Sequence, residues 1–180
     1  MKEAAATPEG RTVHIIQGEY RISETPEEVL ATILGSCVAT CLCDPVRGIG
    51  GMNHFLLPKG RPDDANIKYG THAMELLINS LLKRGAVRER LEAKVFGGAR
   101  MLRGLPNIGE ANAEFAQWFL ETEGIRCVAS SLGGTQARKV RFWPTTGRAQ
   151  QMALSEIRID PAAAPRAVPQ ADSGEDIELF

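Results

Sequence analysis

The stretch Leu34-Gly35-Ser36-Cys37-Val38-Ala39-Thr40-Cys41-Leu42-Cys43-Asp44-Pro45-Val46-Arg47-Gly48-Ile49-Gly50-Gly51-Met52-Asn53-His54-Phe55-Leu56-Leu57-Pro58 reads as one β-hairpin. Val38 to Cys43 and Ile49 to Leu57 are strand-like apolar runs. Pro45 and Gly48 between them supply the fixed φ and the permissive φ that a reversal needs. With Asp44 opposite Ile49 around a four-residue loop, position 37 faces position 56, and His54 lies one diagonal step from Cys37 on the same side of the ribbon. A slip of one residue would send the two side chains to opposite faces, and a bulge at Gly50-Gly51 would restore the pairing.

A thiol brought to an imidazole has a definite chemistry. The attacking species is the thiolate, so a nucleophilic cysteine needs a neighbour that takes its proton, and histidine does this near neutral pH. The protonated imidazole can then hand that proton to a leaving amine, which suits the pair to acyl transfer from amides through a thioester. Gly35, just ahead of Cys37, would let backbone N–H groups approach a substrate carbonyl where an oxyanion develops. The bland alternative is a core cysteine beside a histidine set among Met52, Phe55 and Leu56, since free cysteine is among the most buried residue types.

Composition narrows the class. A chain of 180 residues can bury one proper core, and 21 Lys and Arg against 22 Asp and Glu give no reason to expect nucleic acid or a charged membrane surface as partner. No apolar run approaches the span of a bilayer, and Met1 to Gly10 lacks the apolar stretch of a secretion signal, so a cytoplasmic protein without membrane insertion is expected. Cys37, Cys41, Cys43 and Cys127 are then expected as thiols. Cys41 and Cys43 have no zinc spacing of their own, and strand alternation makes them packing residues on one face. No metal and no cofactor is expected. His14 and His72 read as surface or helix-end residues.

Along the chain, residues 1–10 read as a flexible N-terminus, 11–160 as a single folded domain and 161–180 as a disordered tail. Val13 to Ile22 reads as one early strand, and a helix is expected from near Tyr69 with an apolar stripe of Met74, Leu77, Ile78, Leu81 and Leu82 and a left-handed cap at Gly85. Leu91 to Phe96 reads as a strand entering a tight turn at Gly97-Gly98-Ala99, which lacks the lysine and spacing of a phosphate loop but would also allow a substrate chain close to the backbone. A second helix is expected over about Glu110 to Thr122, burying Ala111, Phe115, Trp118 and Phe119, with Gly124 beyond its end. Ile125 to Leu132, Arg138 to Trp143 and Met152 to Ile159 complete the strands. Strands and helices without regular βαβ alternation predict an α+β layered sandwich of largely antiparallel sheet with packed helices.

Taken together, Leu34 to Ala39, Cys43 to Gly48 and Gly50 to Pro58 resemble the CheD family of bacterial chemotaxis proteins. The resemblance continues through Tyr69-Gly70, Ala73 to Asn79, Lys94 to Ala99, Ile108 to Asn112 and Leu132-Gly133-Gly134, and covers roughly residues 13 to 160. It implies a similar layered fold and the activity of a chemoreceptor glutamine deamidase, which converts particular receptor glutamines to glutamates and releases ammonia. It implies Cys37 as nucleophile, His54 as general base and acid, and a threonine upstream of the cysteine, here Thr32, as the residue that orients the imidazole. In some members that threonine lies one residue further from the cysteine, which here is Ala31, and on the residues alone Thr32 is equally a β-branched strand residue. The implied partners are chemoreceptor cytoplasmic domains and a CheC-type phosphatase.

Two other functions stay open at this level. One is a non-catalytic adaptor that binds receptors or a CheC-type phosphatase. The other is a cysteine peptidase with the same nucleophile and base. Arg138, Lys139, Arg141 and Arg148 with Trp143 form a basic and aromatic patch, read as a solvated strand face in preference to a contact for acidic receptor helices. Ile177, Leu179 and Phe180 near the end of the tail read either as a docking peptide or as part of an inert extension.

Overall fold

The hairpin forms in the expected register. In the computed structural model, which describes residues 1–3, 12–57, 64–103, 106–154 and 177–180, strand β5 (Val38–Asp44) pairs antiparallel with β6 (Ile49–Phe55), Asp44 opposite Ile49 and Val38 opposite Phe55. The turn is held by Asp44, whose carboxylate accepts from the N–H groups of Val46 and Arg47 at 3.1 and 3.0 Å, from that of Val87 at 2.8 Å and from the Arg90 guanidinium. Burial alone would raise the Asp44 carboxyl; these donors, Arg90 foremost, hold it well below the ordinary carboxylate range.

The pairing runs straight through Gly50 and Gly51 with no bulge. The glycines serve packing instead: a Cβ on Gly51 would lie 2.6 Å from the Arg21 carbonyl oxygen and 2.8 Å from Leu77. Only a residue without a side chain lets helix α1 (Asp64–Lys83) sit that close to the sheet.

Two sheets and two helices make three layers. The larger sheet runs β1 (Lys2–Glu3), β3 (Glu19–Ser23), β6, β5, β7 (Glu92–Gly97), β8 (Arg126–Leu132). The smaller runs β11 (Ile177–Leu179), β10 (Arg148–Ala153), β9 (Arg138–Trp143), β4 (Val29–Leu34), β2 (Thr12–His14). Antiparallel pairs predominate, with parallel pairing at β1/β3, β2/β4 and β7/β8. Helices α1 and α2 (Ile108–Thr122) cover one face of the larger sheet and the smaller sheet covers the other. Both faces of β5 and β6 are therefore buried. Val38, Leu42, Ile49 and Phe55 point to the helices, while Ala39, Cys41, Cys43 and Met52 join Leu30, Leu34, Phe96, Val140 and Phe142 between the sheets. The fold is the α+β sandwich that the pattern predicts, and Cys41 and Cys43 pack on one face as expected.

Several boundaries differ from the expectations. Val13 to Ile22 is two strands in different sheets, β2 and β3, because the chain turns at Gln17-Gly18, with Gly18 at φ +85°. Helix α1 already runs at Asp64, ahead of Tyr69, while Gly85 does follow it at φ +92°. Helix α2 starts at Ile108 behind an Asn107 cap whose side chain accepts from Glu110 N–H. Trp118, expected in the core, is 47% exposed. The strand expected over Met152 to Ile159 is β10, which begins at Arg148; residues 155–159 lie outside the described residues. Of the expected flexible start and disordered tail, residues 4–10 and 161–176 lie outside the described residues. The ends that are described depart from those expectations: Lys2–Glu3 pairs with β3, and Ile177–Leu179 pairs with β10, setting the Phe180 ring edge-on to Phe96 at 5.5 Å.

Candidate active site

His54 and Thr32 come from different sheets and meet in the layer between them. On β6, His54 alternates with the helix-facing Asn53 and Phe55, so its ring enters the space between the sheets. On β4, Thr32 lies between Leu30 and Leu34, both in the inter-sheet core, and faces the ring. Its hydroxyl donates to the Ile15 carbonyl at 2.6 Å and stands 2.9 Å from His54 Nδ1.

The Ile15 carbonyl can only accept, so the arrangement that satisfies it, the hydroxyl and the ring together has one tautomer. Because the single hydroxyl hydrogen goes to Ile15, the Thr32 oxygen can only accept from the ring, so Nδ1 carries the proton. The Ile15 carbonyl, 3.3 Å from Nδ1, offers the same N–H a second acceptor. Nε2 is then the basic nitrogen, and it is buried with no hydrogen-bond partner among the described residues. An unsatisfied buried nitrogen calls for an explanation.

Cys37 stands half-buried at the open end of β5, on the face that carries Ala39 and Cys41, one diagonal step from His54 as the register requires. Its Sγ lies 3.5 Å from Gln17 Oε1. The backbone around it is pinned at three successive carbonyls. Gly35 O accepts from Ala99 N–H at 2.9 Å, Cys37 O from Gly98 N–H at 2.8 Å, and Ser36 O from Asn112 Nδ2 at 2.9 Å. Asn112 Oδ1 accepts in turn from Leu57 N–H at 2.8 Å, so one buried amide on α2 ties the cysteine loop to the end of the histidine strand.

The glycine turn after β7 therefore has a use other than the ones expected of it. A Cβ on Gly97 would fall 2.1 Å from the Cys37 carbonyl oxygen, and Gly97 sits at φ +113°. The chain that approaches this backbone closely is the protein's own cysteine loop. Gly35, expected to open the backbone to substrate, instead clears Met101, whose Cγ would be 3.1 Å from a Cβ there.

Burial pushes the Cys37 thiol above its ordinary value, its own backbone N–H only partly opposing this. Burial also lowers the His54 imidazole, opposed by the Ile15 carbonyl and by the charge of Glu19. Both shifts favour the uncharged forms, a thiol on Cys37 and an unprotonated ring on His54, whose Nε2 has no hydrogen-bond partner among the described residues, the Cys37 sulfur included.

The other candidates lie apart from this cluster. His14 and His72 are exposed. Among the described residues no group of three or more His, Cys, Asp or Glu is placed to hold a metal ion. Arg138, expected on a solvated face, is buried and donates to the Ser131 carbonyl at 2.6 Å, to Ser131 Oγ at 3.0 Å and to the Gly133 carbonyl. Arg141 and Arg148 stack on Trp143, 5.1 and 4.1 Å from its centroid. The sequence reading had no role for Asn112 or Gln17; a polar residue buried on an otherwise apolar helix face and a Gln-Gly turn between strands were the signals available.

Fold and site together define a class: a layered α+β protein that holds a thiol, an imidazole and a threonine hydroxyl at one end of the layer between its sheets. The chain belongs to the CheD family. The family model described as CheD chemotactic sensory transduction matches residues 56–152, beginning just past His54. A relative from Cereibacter sphaeroides, named "Probable chemoreceptor glutamine deamidase CheD", is 57% identical over 168 residues, 93% of this chain and 84% of its own. One of the same name from Agrobacterium fabrum is 54% identical across 100% of both chains. Among solved structures, the chain is similar to the Neisseria meningitidis protein NMB0706, at 11% identity and a TM-score of 0.45, over 69% of this chain and 64% of that one.

Proposed function

We propose that this chain is a cytoplasmic protein-glutamine deamidase that converts glutamine side chains of chemoreceptors to glutamates. The Thr32–His54 hydrogen bond carries this reading, because it leaves Nε2 as an unpartnered base on the face where Cys37 stands. The names of the relatives supply the substrate class. No helix among the described residues is long and apolar enough to cross a membrane.

The steps follow from the neutral resting pair. As Cys37 Sγ bonds to the glutamine Cδ, its proton passes to His54 Nε2 and the carbonyl electrons move onto oxygen. The imidazolium, held by Thr32 at Nδ1, gives the Nε2 proton to the nitrogen, and ammonia leaves as the C–N bond breaks. Water then attacks the thioester while Nε2 takes its proton; glutamate departs and the thiol is restored. Ammonia release in step with glutamine loss is expected on incubation with the cytoplasmic fragment of a cognate receptor, and free glutamine should react poorly because docking on the receptor surface supplies much of the selection. Equal turnover of free glutamine would contradict the reading.

Removing the orienting hydroxyl tests the role of Thr32. Thr32→Val keeps the β-branched shape but leaves only the longer Ile15 contact to hold Nδ1. The loss of one hydrogen bond predicts a kcat about tenfold lower with little change in KM. Unchanged kcat would return Thr32 to a packing role.

The pH profile follows from the two shifts. A histidine whose value is lowered keeps Nε2 unprotonated as pH falls, so the acid limb of kcat/KM should have its midpoint below the ordinary histidine value of 6.5. The raised thiol should make iodoacetamide alkylation of Cys37 slow at neutral pH and still rising as pH passes 9.0, without a plateau. A plateau near neutrality would indicate a preformed thiolate–imidazolium pair and contradict the neutral ground state.

A further inference from the structure

We infer that Gln17 is a further catalytic residue, whose side-chain amide donates a hydrogen bond to the oxyanion formed when Cys37 attacks a substrate carbonyl. The inference rests on the acyl-transfer reading of Cys37 and goes beyond it by naming a donor. Its starting point is that a primary amide, the Gln17 side chain, stands 3.5 Å from Cys37 Sγ.

The turn that carries Gln17 is built into the rest of the site. Ile15, two residues before it, gives its carbonyl to the Thr32 hydroxyl and its N–H to the Ala31 carbonyl at 2.8 Å. Gly18, the next residue, donates its N–H to the carbonyl of His54 at 2.8 Å, and its own carbonyl accepts from Lys2 N–H at 2.9 Å. Glu19 N–H closes the turn onto the Ile16 carbonyl at 3.0 Å, and Ile16 N–H returns to the Glu19 carboxylate at 3.2 Å. Gln17 therefore lies between Gly18, which bonds the backbone of the imidazole residue, and Ile15, which accepts the threonine hydroxyl, at the point where the chain crosses from the smaller sheet to the larger.

Chemistry favours a donor. In the resting state Gln17 Oε1 is the amide atom within hydrogen-bonding distance of the Cys37 sulfur, at 3.5 Å. A half-turn about the Cγ–Cδ bond exchanges that oxygen for the NH₂ group, which then occupies the same position. When the S–C bond forms, the carbonyl oxygen lies within bonding reach of sulfur's near neighbours, and an amide N–H held there meets the new negative charge. Gln17 gains and loses no atoms; it donates one hydrogen bond to the oxyanion and withdraws it when the carbonyl re-forms. The pinned carbonyls of Gly35, Ser36 and Cys37 are acceptors and cannot serve in this role.

Two reactions of the same sulfur separate this role from simple contact with the thiol. Acylation by p-nitrophenyl acetate passes through an oxyanion, and alkylation by iodoacetamide does not. For Gln17→Ala and for the similarly sized, uncharged Gln17→Met, which has no N–H to donate, the nitrophenolate burst from the full chain should slow about 10²-fold while Cys37 alkylation stays within about threefold of wild type. Deamidation of a receptor fragment should lose a similar factor in kcat with KM less affected. Because Gln17 is exposed, both variants should unfold thermally as wild type does. Acylation and alkylation changing by one common factor, acylation unchanged or faster, or a wild-type protein that alkylates but never acylates would each overturn the inference. A burst that depends on Gln17 beside unmodified receptor glutamines would sink the deamidase reading and leave Gln17 as donor; full-rate receptor deamidation by Gln17→Ala would sink Gln17 alone.

Discussion

Cys37→Ala should lower receptor deamidation by about 10⁴-fold or more, since a nucleophile acting as one unit with its base leaves little behind when removed. The substitution exchanges one half-buried sulfur for hydrogen at the end of β5, where the backbone is held by bonds to Gly98, Ala99 and Asn112 that do not involve the side chain. Thermal stability should therefore stay within about 1 kcal/mol of wild type, and receptor binding should survive. That combination separates the enzyme from an adaptor: an adaptor loses nothing with the sulfur, whereas the enzyme keeps its docking and loses its chemistry. A peptidase sharing the same nucleophile would instead have cut the receptor backbone before the substitution was made. Initial rates of ammonia release set beside a pull-down of the receptor fragment decide among the three.

The second large effect lies at a residue that touches no substrate. Gly97→Ala forces a Cβ to within 2.1 Å of the Cys37 carbonyl oxygen at a backbone angle of +113°, so strain and collision act together. The atom in the way is backbone and cannot rotate aside, so either the cysteine loop or the end of β7 must move. A loss of about 3 kcal/mol or more in unfolding free energy is expected from urea titration. In the protein that remains folded, displacing Cys37 by about 1 Å should cost about 10²-fold in kcat. Wild-type stability with wild-type kcat would mean that the contact between the glycine turn and the cysteine loop is not what positions the sulfur.

What could be read from the residues and what could not divides along physical lines. Hairpin register was legible because Asp44, Pro45 and Gly48 define one turn and the side-chain period of two does the rest. The helix stripe ending at Gly85 was legible for the same local reason. Contacts between the sheets were not, because nothing in the sequence around Val29 says that β4 will lie across from β6; Thr32 could be named only by resemblance, and its hydrogen bond to His54 exists only once the two sheets stack. Gly97 and Gly98 were visible as a turn, but the partner in their close contact, a loop sixty residues earlier in the chain, was not. Arg138 sits within a charged run that looks solvated, yet it is buried by loop carbonyls that a linear pattern does not reveal. The strand at Ile177–Leu179 follows a segment of Pro, Ala and acidic residues whose composition hides it.

The central claim is that one thiol of this chain converts receptor glutamines into glutamates. The most direct test incubates the purified full chain, and separately its Cys37→Ala variant, with the cytoplasmic fragment of a cognate chemoreceptor and reads the receptor by peptide mass spectrometry. The account predicts amide-to-acid conversion at discrete glutamines with the wild-type chain and none with the variant. Receptor glutamines left intact by the wild type, or converted equally well by the variant, would contradict it.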